Sequence, residues 1–140
     1  MLLTLLGATS WAGEASGVWK LNPARSKLAG NQESVTLRIE PHIRGEVFTL
    51  DTVAVDGRAS TSSTILYFDG KTRVFQDSTC SGMQSSRRLD ARTVEIVREC
   101  VVGQVRLIRR AEKPGVLILE ITEQNSDGRR SERRLVMEKQ

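Results

Sequence analysis

From Gly17 onward the chain repeats one pattern: a short run in which apolar and polar residues alternate, then a compact turn signal. Runs of this kind cover 35–40, 47–55, 61–68, 73–77, 83–89, 94–100, 105–111, 116–123 and 129–139, after an opening stretch at 17–23. Arg44-Gly45, Asp56-Gly57, Asp69-Gly70, Asp90-Ala91-Arg92, Val102-Gly103, Lys113-Pro114-Gly115 and Ser126-Asp127-Gly128 separate them. An alternation of period two places successive side chains on opposite faces of a β-strand. Glycine supplies positive φ in tight hairpins, and Pro or Asp sets the bend beforehand. Many short strands with connections this short describe an antiparallel meander, and an up-and-down β-barrel closes such a meander without leaving edges. The pattern predicts an all-β barrel of about 8–10 strands over residues 16–140. No run carries the period of a helix.

Strand register can be tested against side-chain chemistry. A turn over 90–93 pairs Leu89 with Val94, which sets Arg87 against Ile96, Ser85 against Arg98 and Met83 against Cys100. The Val102-Gly103 turn pairs Cys100 with Val105, Arg98 with Leu107 and Ile96 with Arg109. The next two loops set Arg109 against Leu119, Leu107 against Ile121, Leu119 against Leu135, Leu117 against Met137 and Ile121 against Arg133. Under these registers one face carries Leu89, Val94, Ile96, Val105, Leu107, Leu117, Leu119, Ile121, Leu135 and Met137, and it is the inward face. The other face carries Glu95 between Arg88 and Arg110, Glu99 opposite Arg106 and Glu120 opposite Arg134, as a solvated sheet surface requires.

Four cations fall on the inward face: Arg87, Arg98, Arg109 and Arg133, with Glu123 near the rim as a same-face acid. An unpaired buried charge costs more than a few apolar contacts return. These arginines therefore require an anionic ligand, a hydrated cavity, or acids from the first half of the chain, Asp77 among the candidates. The competing reading puts them at the barrel ends, snorkelling to water or covering Trp19.

Composition adds little to the fold and more to the setting. Of 140 residues, 39% are hydrophobic and 27% charged, so a core is affordable, and with aromatics at 4% it must be aliphatic. The formal charge of +4 is spread along strands with no Lys/Arg run longer than two, so no nucleic-acid footprint is expected. Residues 1–15 stand apart as a partial signal peptide or unstructured N-terminus: Leu2–Ala8 is apolar and Ser10-Trp11-Ala12 supplies small residues for cleavage. No later stretch is long and apolar enough to span a membrane as a helix. Cys80 and Cys100 fit one disulfide in an oxidising compartment, two buried thiols being the alternative. The expected localisation is periplasmic or secreted.

Catalytic and metal chemistry find no foothold. His42 is the single histidine and sits in a turn remote from both cysteines. Clustered metal ligands, phosphate-cradling glycine loops and nucleophile motifs are absent from the sequence. The expectation is a protein without enzymatic activity, cofactor or metal.

The opening Gly17-Val18-Trp19 resembles the start of the lipocalin-like (calycin) proteins, in which Gly-x-Trp begins the first strand and a basic residue of the last strand covers the Trp. Arg133 or Arg134 is placed to supply that cover. The longer string from Gly17 to Pro23 with Ser26-Lys27, and the ending Glu138-Lys139-Gln140, resemble a group of small exported bacterial proteins of uncharacterised function. The resemblance implies structural roles for Gly17 and Trp19. It also implies, by analogy with fatty-acid-binding calycins, that arginines on late strands hold a ligand carboxylate. The expected function is binding of a small amphiphilic or anionic ligand inside the barrel, with Arg98, Arg109 and Arg133, then Arg87, as contacts. The alternative is an interaction protein with a filled interior that meets a protein partner through its charged exterior or rim loops.

Overall fold

The alternation resolves into ten strands: β1 (Gly17–Leu21), β2 (Gln32–His42), β3 (Gly45–Ala54), β4 (Ala59–Leu66), β5 (Arg73–Gln76), β6 (Ser81–Asp90), β7 (Thr93–Cys100), β8 (Gly103–Lys113), β9 (Val116–Asn125) and β10 (Arg130–Lys139). They are seen in a computed structural model that describes residues 15–28 and 32–140. The expected signal segment therefore lies outside the described residues except for Ala15. One 3₁₀ turn, Pro23–Arg25, follows β1 and packs against β10. Among the described residues no helix is long and apolar enough to cross a membrane.

All ten strands belong to one sheet in the order β4-β3-β2-β1-β10-β9-β8-β7-β6-β5. Each ladder is antiparallel and joins strands adjacent in sequence, apart from β1–β10, which brings the two ends of the chain together. The sheet curls into a nearly closed barrel whose seam lies between β4 and β5. Side chains bridge it: the Ser62 hydroxyl donates to Asp77 at 2.8 Å, Gln84 Nε2 donates to Thr64 at 2.9 Å, and the Phe68 amide donates to Ser86 Oγ at 3.1 Å. Phe68 sits at φ 57, a left-handed conformation unusual for a bulky residue, with the Arg88 guanidinium 4.3 Å over its ring.

The core is the inward face of the barrel, a mainly aliphatic cluster around Trp19 and Phe48 that includes Leu37, Ile39, Leu66, Ile96, Leu119, Leu135 and Met137. Of the inward set expected from the sequence, Val94, Ile96, Leu107, Leu117, Leu119, Ile121, Leu135 and Met137 are buried. The β8–β9 and β9–β10 registers are as expected, with Arg109 opposite Leu119, Leu107 opposite Ile121 and Leu119 opposite Leu135. The β7–β8 hairpin pairs Cys100 with Gly103 rather than Val105. That shift is two residues, so every side chain keeps its face.

The β6–β7 hairpin differs by one residue, and the cause is local. A bulge between Arg88 and Asp90 leaves Leu89 outside the pairing, so Arg87 meets Glu95 and Ser86 meets Ile96. A one-residue insertion exchanges the faces of everything beyond it. Leu89 is consequently exposed, and Arg87 moves to the outer surface. On that outer surface Glu95 accepts from Arg87 Nε at 2.7 Å and from Arg106 Nε at 2.6 Å, in place of the expected Arg88 and Arg110. Burial pushes the Glu95 carboxyl up, but the two guanidiniums outweigh it and hold the group below its ordinary value. Arg110 pairs with Glu120 and Gln104 with Glu99.

Candidate functional site

The barrel has two unlike ends. The β2–β3, β6–β7 and β8–β9 turns close one, and the β3–β4, β7–β8 and β9–β10 turns surround the other, the mouth. Toward the closed end the inward residues are almost wholly buried. Toward the mouth Leu21, Leu50 and Val105 are only half-buried, and polar side chains replace the aliphatics.

Arg109 lies in the closed end, opposite Val94 and Leu119, and is 3% exposed. Its guanidinium reaches across the interior to Glu46 of β3, which is 5% exposed. The pair is bidentate, with Nη1 donating to Oε1 at 2.8 Å and Nη2 to Oε2 at 3.1 Å. This fork geometry is the one that best repays desolvation of both charges. Arg109 therefore already has its anion.

Arg98 is the cation of the mouth. It projects inward from β7 opposite Val105 and Gln84, and its Nε donates to Gln84 Oε1 at 2.8 Å. Gln84 is fixed from both sides, because its amide donates to Thr64 across the seam. The Arg98 guanidinium lies 4.2 Å over the buried ring of Phe75. No carboxylate forms an ion pair with it among the described residues. Asp77 is close enough to act on it through charge, yet that carboxylate is engaged by the Ser62 hydroxyl, the Thr79 amide and hydroxyl, and the Cys80 amide. Desolvation pulls the Arg98 group below its ordinary value, with Asp77 opposing. The arrangement is a half-buried cation held by a neutral amide and an aromatic face, with donor capacity left over.

Arg133 completes the basic lining near the mouth. It stands opposite Ile121 on the inward parity of β10, and its Nη2 donates to Glu123 at 2.8 Å. The Cys80–Cys100 disulfide, with Cα atoms 5.1 Å apart, ties the end of β7 to the loop that carries Asp77. Gly82 sits between Phe75 and Cys100 in the ladder, where a Cβ would run into the Glu99 carbonyl, so only glycine allows this close approach. A pocket of about 80 Å³ opens here, lined by Arg98, Val105, Glu123 and both cysteines.

Of the four inward arginines expected from the sequence, the structure brings Arg98 and Arg133 to the mouth, buries Arg109 against Glu46 and turns Arg87 outward. Trp19 is buried and its indole N–H donates to the Ala15 carbonyl at 2.9 Å. Its basic cover is Lys139, whose Nζ lies 5.7 Å from the ring, rather than Arg133 or Arg134. The β1–β10 register sets Trp19 directly opposite Lys139, which explains the difference. Gly17, at φ 133, lies next to the same lysine side chain. His42 is a turn residue whose Nδ1 accepts the Arg44 amide. Among the described residues no group of three or more His, Cys, Asp or Glu is arranged to hold a metal.

Glu46, Gln84 and Phe75 escaped the sequence reading. Glu46 was legible, since it shares parity with Phe48 and Leu50 on an otherwise greasy run and so had to face inward. Gln84 was hidden by the bulge at Leu89, which inverts the parity of β6.

No family model matches the chain, and no curated protein matches it in sequence. Its fold is similar to that of zebrafish ileal bile acid-binding protein, solved with cholic acid. The two superpose with a TM-score of 0.54 over 91% of this chain and 99% of that one, at 11% sequence identity. The likeness is one of fold: a nearly closed antiparallel barrel.

Proposed function

We propose that the protein is an exported binding protein whose barrel mouth takes the anionic group of a small amphiphile. The observation that carries this reading is Arg98, a half-buried guanidinium with no ion-paired acid among the described residues and with N–H donors beyond the one given to Gln84. A cation in that state gains more from an anionic ligand than one in water does. Arg133, paired with Glu123, a residue more exposed than itself, is the second contact. Arg109 takes no part, because Glu46 already occupies both of its terminal nitrogens. The half-buried Leu21, Leu50 and Val105 offer the aliphatic tail a surface. The calycin-type barrel supports the reading by analogy, since the zebrafish protein of that fold was solved with cholic acid. The disulfide and the apolar Leu2–Ala8 stretch support export to an oxidising compartment. The reading assigns no bond-making step to the site.

A second reading, the filled barrel that meets a protein partner, is favoured by one structural observation. The pocket lined by Arg98 holds about 80 Å³, whereas drug-sized ligands occupy roughly 300–1,000 Å³. A carboxylate-sized head fits that space, so a longer ligand would have to lie across the mouth. Native mass spectrometry of the exported protein separates the readings. A co-purified anionic small molecule that is lost from the Arg98→Leu variant supports binding. A protein that carries no small molecule, takes up neither cholate nor a long-chain fatty acid, and captures a protein partner supports the second reading.

A further inference from the structure

The outer surface of β8–β10 carries a second basic feature unconnected with the barrel interior. Lys27 and Arg134 are paired in an antiparallel bridge, the Lys27 amide donating to the Arg134 carbonyl at 2.7 Å and the reverse bond measuring 2.9 Å. Residues directly opposite in such a bridge project from the same face, and like charges so placed repel. Leu135 points inward, so Arg134 and with it Lys27 point outward, and both are exposed. Neither side chain has a hydrogen bond or ion pair among the described residues. The acid that could have neutralised them, Glu120 opposite Arg134 on β9, is engaged by Arg110 at 2.9 Å.

These two cations stand on one wall of a groove of about 390 Å³ with Ile108 and Thr122 in its lining. Arg106 and Arg130 contribute further positive charge. Arg106 gives only its Nε to Glu95, and Arg130 lies a loose 3.7 Å from Glu132. Apart from Arg133, whose side chain turns inward to Glu123, four cations against two carboxylates line the groove. Repulsion between neighbouring cations is a cost that folding alone gives no reason to retain.

We propose that this groove binds a multiply charged oxyanion, the phosphate-type group of a soluble molecule or of a lipid headgroup. On so open a face a single carboxylate would meet screened, weak attraction. An anion with several oxygens and more than one charge can engage Lys27, Arg134 and Arg106 together, and guanidinium donors suit oxyanions of that geometry. The site is separate from the mouth, since Arg98 projects to the opposite face of the sheet.

The test is a titration of ¹⁵N-labelled protein with inorganic pyrophosphate, with sodium chloride at matched ionic strength as the control. Amide shifts are expected at Lys27, Thr122 and Arg134 with pyrophosphate and not with chloride. The Lys27→Gln/Arg134→Gln variant should bind about tenfold more weakly or worse, which is about 1.4 kcal/mol of binding free energy. The same variant should melt no lower than the parent, because it removes a repulsive pair; this shows that lost binding is not lost folding. Arg98→Leu should bind pyrophosphate unchanged, which keeps this site distinct from the mouth. Sedimentation with phosphatidylcholine vesicles containing phosphatidylglycerol then identifies the source. Co-sedimentation that the double variant abolishes assigns the anion to a lipid surface, and pyrophosphate binding without it assigns a soluble phosphate compound. Equal shifts with chloride, or unchanged pyrophosphate affinity in the double variant, would overturn the proposal.

Discussion

Arg109 and Arg98 project into the same barrel from adjacent strands, about 13 Å apart along the ladder at about 3.3 Å per residue. At the closed end the surroundings are dry, and Arg109 is matched by a full counter-charge, Glu46, in a bidentate pair with both partners buried. At the mouth Arg98 is matched, among the described residues, only by a neutral amide and a ring, and Asp77, which acts on it through charge, has one oxygen engaged by the Thr79 and Cys80 amides and the other by Ser62. The difference is one of solvent access. A charge removed from water on all sides must bring its partner with it, while a charge that keeps some water can stay under-committed. The closed end is thus a structural plug, and the mouth is where the barrel retains unspent donor capacity.

The sharpest way to break this contrast is to remove each arginine in turn. Arg109→Leu leaves Glu46 buried without a cation and should cost about 3–5 kcal/mol in urea denaturation. Adding Glu46→Leu should recover most of it, because an apolar pair satisfies a dry site about as well as an ion pair does. Arg98→Leu, which removes an incompletely paired cation, should change stability little while abolishing anion uptake. Equal losses from the two single variants would show that the ends do not differ as described.

The disulfide tests the mouth as a unit. Cys80→Ala/Cys100→Ala releases a cross-link between residues 20 positions apart and should lower stability by about 3 kcal/mol. Faster amide exchange should concentrate at Thr79–Ser81 and Val101–Gly103 and spare the amides around Leu119 and Leu135. Uniform acceleration would mean that the ends are not mechanically separate.

Much of this division could be read from the sequence, and where it could not the reasons are specific. The alternation of β8, β9 and β10 is regular enough that parity alone placed Leu107, Leu119, Ile121 and Leu135 inside with their partners named. The two-residue shift at Val101–Val102 was invisible but harmless, since an even slip preserves faces. The bulge at Leu89 was invisible and consequential: it exchanged Arg87 for Ser86 on the inner face and concealed Gln84. Nothing local in Arg88-Leu89-Asp90 announces an inserted residue. What selects it is tertiary, namely the Ser86 contact to Phe68 and the Gln84 contact to Thr64 across the seam. Pairings across a barrel, such as Arg109 with Glu46 at 63 residues' separation, depend on closure and cannot be read from neighbouring strands.

A smaller effect belongs to the seam. Thr64→Val removes the hydroxyl that accepts from Gln84 and should cost about 1 kcal/mol. Its more telling consequence is positional. Gln84 then loses one of the two bonds that fix it, so Arg98 is less well oriented and ligand affinity should fall more than stability does. A variant that loses stability but binds as before would show that the seam holds the barrel together without shaping the mouth.

The smallest expected change is local and appears only in acid. Burial raises the Asp77 carboxyl, but the hydrogen bonds from Ser62, Thr79 and Cys80 prevail and hold it below its ordinary value of 3.8. A folded-state value lower than the unfolded one means that its stabilisation is fully present above that ordinary value. It is lost as pH falls through the depressed value, when the protonated carboxyl gives up its bonds from the Thr79 and Cys80 amides. Those two amide resonances should therefore titrate together below about pH 3.8, while amides of the closed-end strands keep their positions. Arg98 should gain exposure over the same interval, because the loop beside it loosens and the acid that acts on it through charge becomes neutral. Thr79 and Cys80 amides that stay fixed throughout that range would remove Asp77 from the mouth's architecture and leave the disulfide as its sole clasp.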